Sequence, residues 1–134
     1  MNAERQVWLT AAASLLMVLG LHLALIRTAG LAYDIRPISA KIKALQDAGV
    51  PLANVGKYHG QYQFAGRLEH SIEQTPFDQL AAWFDAHPGG RVIFYSERDN
   101  DHDVPQGHGR ADFEQPYLGI SVGIYSREAM LPAP

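Results

Sequence analysis

Cysteine is absent from this 134-residue chain, so neither a disulfide nor a thiolate metal site is available to it. Basic residues are scarce as well: 11 Lys and Arg stand against 14 Asp and Glu, for a net charge of −3. Nucleic-acid binding depends on clustered cations that displace counterions, and this balance excludes nucleic acid as an expected partner. The length permits one soluble domain and no second catalytic one. There is no internal repeat and no low-complexity tract. Missing too are a Ser, His and acid arrangement, a Gly-rich phosphate loop and a paired-carboxylate motif, so no catalytic residue and no cofactor is expected of the chain by itself.

What the chain does have is an uncharged run from Val7 to Ile26. As a helix rising about 1.5 Å per residue, such a run matches the hydrocarbon thickness of a bilayer. A signal peptide cleaved after Ala32 is one alternative, but Glu4 offsets Arg5 at the start and Arg27 closes the run. A buried core helix is the other, and it needs a partner on every face, which the rest of the chain can hardly supply. Trp8 suits an interfacial position. His22 reads as a near-end residue reaching for water rather than as a ligand. Arg5 on one side against Arg27 and Arg36 on the other leaves the orientation open. The expected organisation is a transmembrane helix with short flanks over residues 1–32, then a soluble domain over 33–134.

In that second part Ile38, Ile42 and Leu45 fall at i, i+4 and i+7, one apolar stripe of a helix over 36–48 that begins with Pro37 and stops at Gly49 and Pro51. Leu52 to Tyr58 reads as a strand ended by His59-Gly60. Residues 61–68 read equally as a strand or a helical turn. Thr75-Pro76-Phe77-Asp78 has the form of a helix start, with Thr75 as cap, and Phe77, Leu80, Ala81 and Phe84 make its expected buried face. Val92 to Tyr95 is a continuous apolar run, the pattern of a strand covered on both faces. Leu118, Ile120, Val122 and Ile124 alternate with Gly119, Ser121 and Gly123, predicting one strand over Tyr117 to Tyr125 whose second face is small enough for a helix to approach. The fold class is therefore α/β: one N-terminal transmembrane helix, then a small α/β domain with a mixed sheet containing a parallel βαβ unit.

If the strands ending at Tyr58 and Tyr95 are parallel neighbours, their carboxyl ends share one rim, where open α/β sheets bind ligands. Lys57, Tyr58, His59 and Gln61 belong to it from the first strand, Ser96, Glu97 and Arg98 from the second, and Arg67 is a further candidate. Such a rim suits an anionic group, Arg acting as a fork and Lys as a point charge. The plainer alternative is ordinary strand-end polar residues with Tyr58 and Tyr62 packing at the domain edge. Asp99, Asp101 and Asp103 resemble the opening of a calcium loop, yet Val104 and Arg110 stand where Gly and Glu are required. With only His102 and His108 nearby to add nitrogen, no metal site is expected there.

Tyr33-Asp34-Ile35-Arg36-Pro37-Ile38 after a membrane helix, followed by residues 51–68 with their Gly56-Lys57-Tyr58-His59-Gly60-Gln61-Tyr62-Gln63-Phe64-Ala65-Gly66-Arg67 run, resembles the extreme C-terminus of bacterial family 39 glycosyltransferases. That group contains protein O-mannosyltransferases and the aminoarabinose transferase that modifies lipid A. The resemblance covers most of the chain, including the helix with Trp83 and its His87-Pro88-Gly89 stop. It implies a polytopic membrane enzyme that moves a sugar from a polyprenyl phosphate to an acceptor, with the soluble domain in the periplasm of a bacterial inner membrane. The family's catalytic acids sit in amino-terminal loops that this chain does not contain. The expectation is thus a C-terminal portion or a reduced descendant, noncatalytic alone, whose partners are the lipid bilayer, the remainder of a polytopic transferase, and a polyprenyl-phosphate sugar or lipid acceptor. Lys57, Tyr58, Gln61 and Arg67 match the motif without inheriting a catalytic role. A different class of reading is a single-pass anchored binding or assembly module for an anionic glycan, a lipid or a membrane protein.

Overall fold

The computed structural model describes residues 2–96, 107 and 109–132. The chain forms two compact units, 1–33 and 34–134. The first is a single helix, α1 (Ala3–Tyr33). Its Ala3–Arg27 stretch is long and apolar enough to cross a membrane, and 0% of that window is buried. This leaves no basis for a core helix packed on all sides.

The second unit is an α/β domain. In chain order it contains α2 (Arg36–Asp47), β1 (Leu52–Val55), α3 (Gln61–Gly66), β2 (Glu73–Thr75), a 3-10 turn (Phe77–Gln79), α4 (Leu80–Ala86), β3 (Arg91–Ser96), β4 (Phe113–Tyr117), β5 (Ile120–Tyr125) and α5 (Arg127–Met130). The strands form one mixed sheet in the order β2-β1-β3-β5-β4. β1 runs parallel to both β2 and β3, while β5 is antiparallel to β3 and β4. The step from β1 to β2 carries α3 on one face, and the step back past β1 to β3 carries α4 on the other. Reversing both direction and face gives the two crossovers the same hand, as the sterics of twisted strands require.

Alternation along β3 builds the two cores. Ile93 packs with Ile38, Ile42, Tyr62, Leu68, Ile72, Val122 and Ile124 beneath α2 and α3. Val92 and Phe94 pack with Ala53, Leu80, Trp83, Phe84, Tyr125 and Met130 beneath α4 and α5. The stripe of α2 therefore does what its period demands, with Ile38 and Ile42 at 0% exposure. Gln115 on the edge strand fixes where α2 begins. Its Oε1 accepts from the Ile38 amide at 3.0 Å, one of the donors a helix start leaves unpaired, and its Nε2 donates to the Asp34 carbonyl at 2.7 Å.

Four sequence readings are changed or settled. The first strand ends at Val55 rather than Tyr58, because Gly56 turns left-handed at φ 78°. Residues 61–66 are helical, which settles that segment. Thr75 is not a cap but the last residue of β2, paired with Val55, and Pro76 is extended. The following 3-10 turn shifts the helical phase, so that Trp83 is buried where Ala81 was expected. Trp83 donates its indole N–H to Glu73 at 3.0 Å and stacks on His87 at 4.6 Å.

The fourth change is at the last strand. Residues 113–125 form a hairpin whose two-residue turn is Leu118-Gly119, at φ 52° and 85°. Two positive φ values mark the type I′ turn, which matches strand twist but suits Asn-Gly rather than Leu-Gly. Leu118 is thus an exposed turn residue, not part of the aliphatic face. Nor does a helix approach the small face: the Tyr125 ring lies over Gly123, within 2.7 Å of where a Cβ would be.

Two substitutions test this packing by thermal denaturation. Gly66→Ala would set a Cβ 2.9 Å from the Ser39 carbonyl oxygen where α3 meets α2, and is expected to lower stability by about 1–3 kcal/mol. Leu118→Asn relieves a left-handed leucine and is expected to raise stability by about 1 kcal/mol.

Candidate functional site

β1, β2 and β3 end on one edge of the sheet, and the segments leaving them build the candidate site. Asn54 in the middle of β1 is fully buried. Its Nδ2 donates to the carbonyls of Val55, Gly56 and Lys57 at 3.1, 3.4 and 3.3 Å, which curls the chain over the strand end. The Gly56 amide donates to Thr75 at 3.0 Å and the Tyr58 amide to Gln74 Oε1 at 3.3 Å, so the loop is sewn to β2. The crevice expected between adjacent strands whose helices leave on opposite faces is closed there.

What lies beside that seam is a floor of phenols. Tyr58 stacks on Tyr62 with centroids 5.7 Å apart and planes 13° from parallel. Tyr62 is fully buried, and its hydroxyl shares a hydrogen bond with that of Tyr95 at the end of β3. Gln61 Nε2 donates to the same Tyr95 oxygen at 2.6 Å, while Gln61 Oε1 receives the His59 amide at 3.0 Å. Tyr117, the last residue of β4, completes the group 6.2 Å from the Tyr95 ring. Two buried polar atoms here have no hydrogen-bond partner, Asn54 Oδ1 and the Tyr58 hydroxyl.

The electrostatics are those of neutral donors. Burial pushes the Tyr62 phenol far above its ordinary value, helped by Tyr95. Burial raises Tyr95 too, partly opposed by its bonds to Tyr62 and Gln61. Tyr58 is raised by burial and tempered by the nearby backbone amides of Tyr62 and Gln63. Phenols held protonated this way donate and accept hydrogen bonds but do not act as bases near neutral pH. Lys57 and His59, in the same loop, are exposed. The arrangement suits attraction of an anionic group by a flexible cation at this edge, rather than proton transfer.

Of the residues singled out from sequence, Lys57, Tyr58, His59 and Gln61 come together on this edge, with Ser96 closing β3. Arg67 does not join them in the same loop. It follows the six-residue α3 at φ 49°, roughly 9 Å of helix from Gln61, beside the Gly66 contact with Ser39. Glu97, Arg98, the Asp99–Asp103 tract, His102 and His108 lie outside the described residues. Among the described residues no three His, Asp or Glu side chains gather as metal ligands. Asn54, Tyr95 and Tyr117 were not singled out. An amide in an otherwise apolar strand and two tyrosines at strand ends were the available signals, but their meeting depends on strand order.

A second concavity of about 590 Å³ opens at the opposite edge, between the start of β3 and α5. Both arginines that line it, beside Glu128, are already paired. Arg91 pairs with Asp112, and Arg127 with Asp85 at 2.6 Å.

Comparison with known proteins yields no matching family model, no matching curated protein and no matching solved structure.

Raised phenol pKa values set the alkaline limit of stability. An unfolded tyrosine ionises near pH 10, whereas Tyr62 and Tyr95 stay protonated in the fold. Their contribution is full below about pH 10 and is lost as pH rises toward the folded values. Phenolate absorbance of these residues is expected to appear together with unfolding. Tyr95→Phe removes the oxygen shared by Gln61 and Tyr62 and is expected to cost about 1–3 kcal/mol in denaturant titration.

Proposed function

We propose that this chain is the membrane-anchored, extracytoplasmic portion of a polyprenyl-phosphate-sugar-dependent glycosyltransferase of the family 39 kind, and that it assists transfer without catalysing it alone. The observation that carries this reading is a coincidence of stretches. The Gly56–Arg67 run, the most specific part of the resemblance, is also the run that supplies Lys57, Tyr58, His59, Gln61 and Tyr62 to the candidate site. A helix of membrane-crossing length precedes the domain, as the proposal requires. The soluble part is then periplasmic, on the bacterial inner membrane, and its edge of exposed cation and neutral phenols meets the lipid-linked sugar or its acceptor. The chemistry agrees: a phosphodiester or phosphomonoester attracts the exposed Lys57.

The first test is an immunoblot of membranes from the source cells with antibody against residues 34–132. The expected band is several-fold larger than the 14.8 kDa chain. A band at the size of the chain, together with a purified product that binds no polyprenyl phosphate, would replace the proposal with an anchored module that serves another partner. In a transfer assay the isolated chain is expected to be inactive, and turnover by it alone would overturn the proposal.

A further inference from the structure

Among the described residues of the domain, two large hydrophobic side chains are left mostly in solvent, Phe64 at 91% and Leu118 at 51% exposure. Neither position is explained by folding. Phe64 faces away from the α3 residues that pack inward, Tyr62 and Gly66. Leu118 occupies the first position of a type I′ turn at φ 52°, where a side chain with a Cβ is strained and Asn or Gly is the relaxed choice. A strained, solvent-facing leucine runs against both local conformation and solvation.

Topology brings the two near one edge. Ser96, the end of β3, pairs with Ser121 at the start of β5, so the hairpin tip projects past the carboxyl ends of the parallel strands. α3 starts from the loop over that same edge, placing Phe64 about 4.5 Å along it. The first residue of the domain is there as well. Gln115 holds the Asp34 carbonyl and the Ile38 amide, and one turn later Lys41 lies over the Phe113 ring at 6.0 Å. α2 therefore descends along β4 from its Tyr117 end to its Phe113 end, and Asp34 sits at the carboxyl edge. Asp34 directly follows α1, whose apolar stretch is of membrane-crossing length.

We infer that this edge of the domain docks on the lipid bilayer, with Leu118 and Phe64 entering the boundary between headgroups and acyl chains and Lys57 lying among the phosphates. The occupant is a lipid surface because the chain enters the domain at this edge from a membrane-length helix. Shallow insertion of a few apolar side chains beside a cation is also the ordinary chemistry of interfacial attachment. The inference rests on the membrane-crossing reading of α1 but not on the transferase reading.

The absence of cysteine lets each label occupy a single site. Nitroxide labels are placed one at a time by Leu118→Cys, Phe64→Cys, Val18→Cys and Ala48→Cys in the full chain, reconstituted in phosphatidylethanolamine–phosphatidylglycerol vesicles. Val18 reports the helix, and Ala48, exposed at the far end of α2, reports water. Labels at 118 and 64 are expected to collide with oxygen in preference to a water-soluble nickel complex, with a ratio several-fold above that at 48. Ratios at both sites equal to that at 48 would overturn the inference, as would labels there shielded from both reagents, since a protein would then cover the edge. A label at 18 that collides like the one at 48 would refute the membrane-crossing reading separately. Should the Leu118 label disturb the turn, the label at Phe64 distinguishes the same outcomes. With L118N as background, the label at 64 is expected to lose its lipid signature without a fall in melting temperature.

Discussion

One side-chain amide decides where the α/β domain begins. Gln115 sits on the edge strand, yet it bonds both to the Asp34 carbonyl, two residues before α2, and to the Ile38 amide inside its first turn. The sheet and the entry point of the chain are thereby one rigid piece. Without that clasp, Ile35 at the N-cap offers no side-chain bond; of the α2 amides Asp34 Oδ1 meets only that of Arg36, at 3.0 Å, and the Asp34–Arg36 ion pair at 2.8 Å, highly exposed on the arginine side, adds little of its own. Everything the molecule presents on its carboxyl edge depends on this register, because α2 holds α3 and α3 holds the loop above Asn54.

The same edge carries two kinds of surface. Beneath lies a set of buried phenols and amides, of which Gln61, Tyr62 and Tyr95 are joined by hydrogen bonds. Outside lie Lys57, His59, Leu118 and Phe64, which gain nothing from the fold. Burial stiffens the floor and strain raises the tip, so the fixed and the costly features of the domain converge at one place.

Much of this was legible in the chain before folding. A period near 3.6 in Ile38, Ile42 and Leu45 gave α2, and a continuous apolar run gave the doubly covered β3. A helix between two apolar segments gave the parallel β1 and β3. The unread parts share a cause. β2 is Glu73-Gln74-Thr75, three residues with no apolar pattern, and pairing with β1 alone makes them a strand. Leu118 satisfied a period of two while the chain was in fact turning, since composition does not reveal the sign of φ. Thr75-Pro76 carried a helix-start pattern one turn too early, because Thr75 was claimed by a neighbouring strand. Lys57 to Gln61 were visible as polar residues at a strand end. Tyr95 and Tyr117 were not, because their hydroxyls acquire partners only through the order of strands.

Pro116 lies on β4, the outer strand of the sheet, opposite Ser121. The two-residue turn makes Tyr117 and Ile120 the hydrogen-bonded pair, so by alternation the Pro116 nitrogen points outward, away from β5. The outward row of donors is broken at that position, and the other outer strand, β2, is only three residues long. Exposed strand edges can join copies of a protein into ribbons. A missing N–H on one border and a very short strand on the other leave this sheet little edge on which a second copy could add.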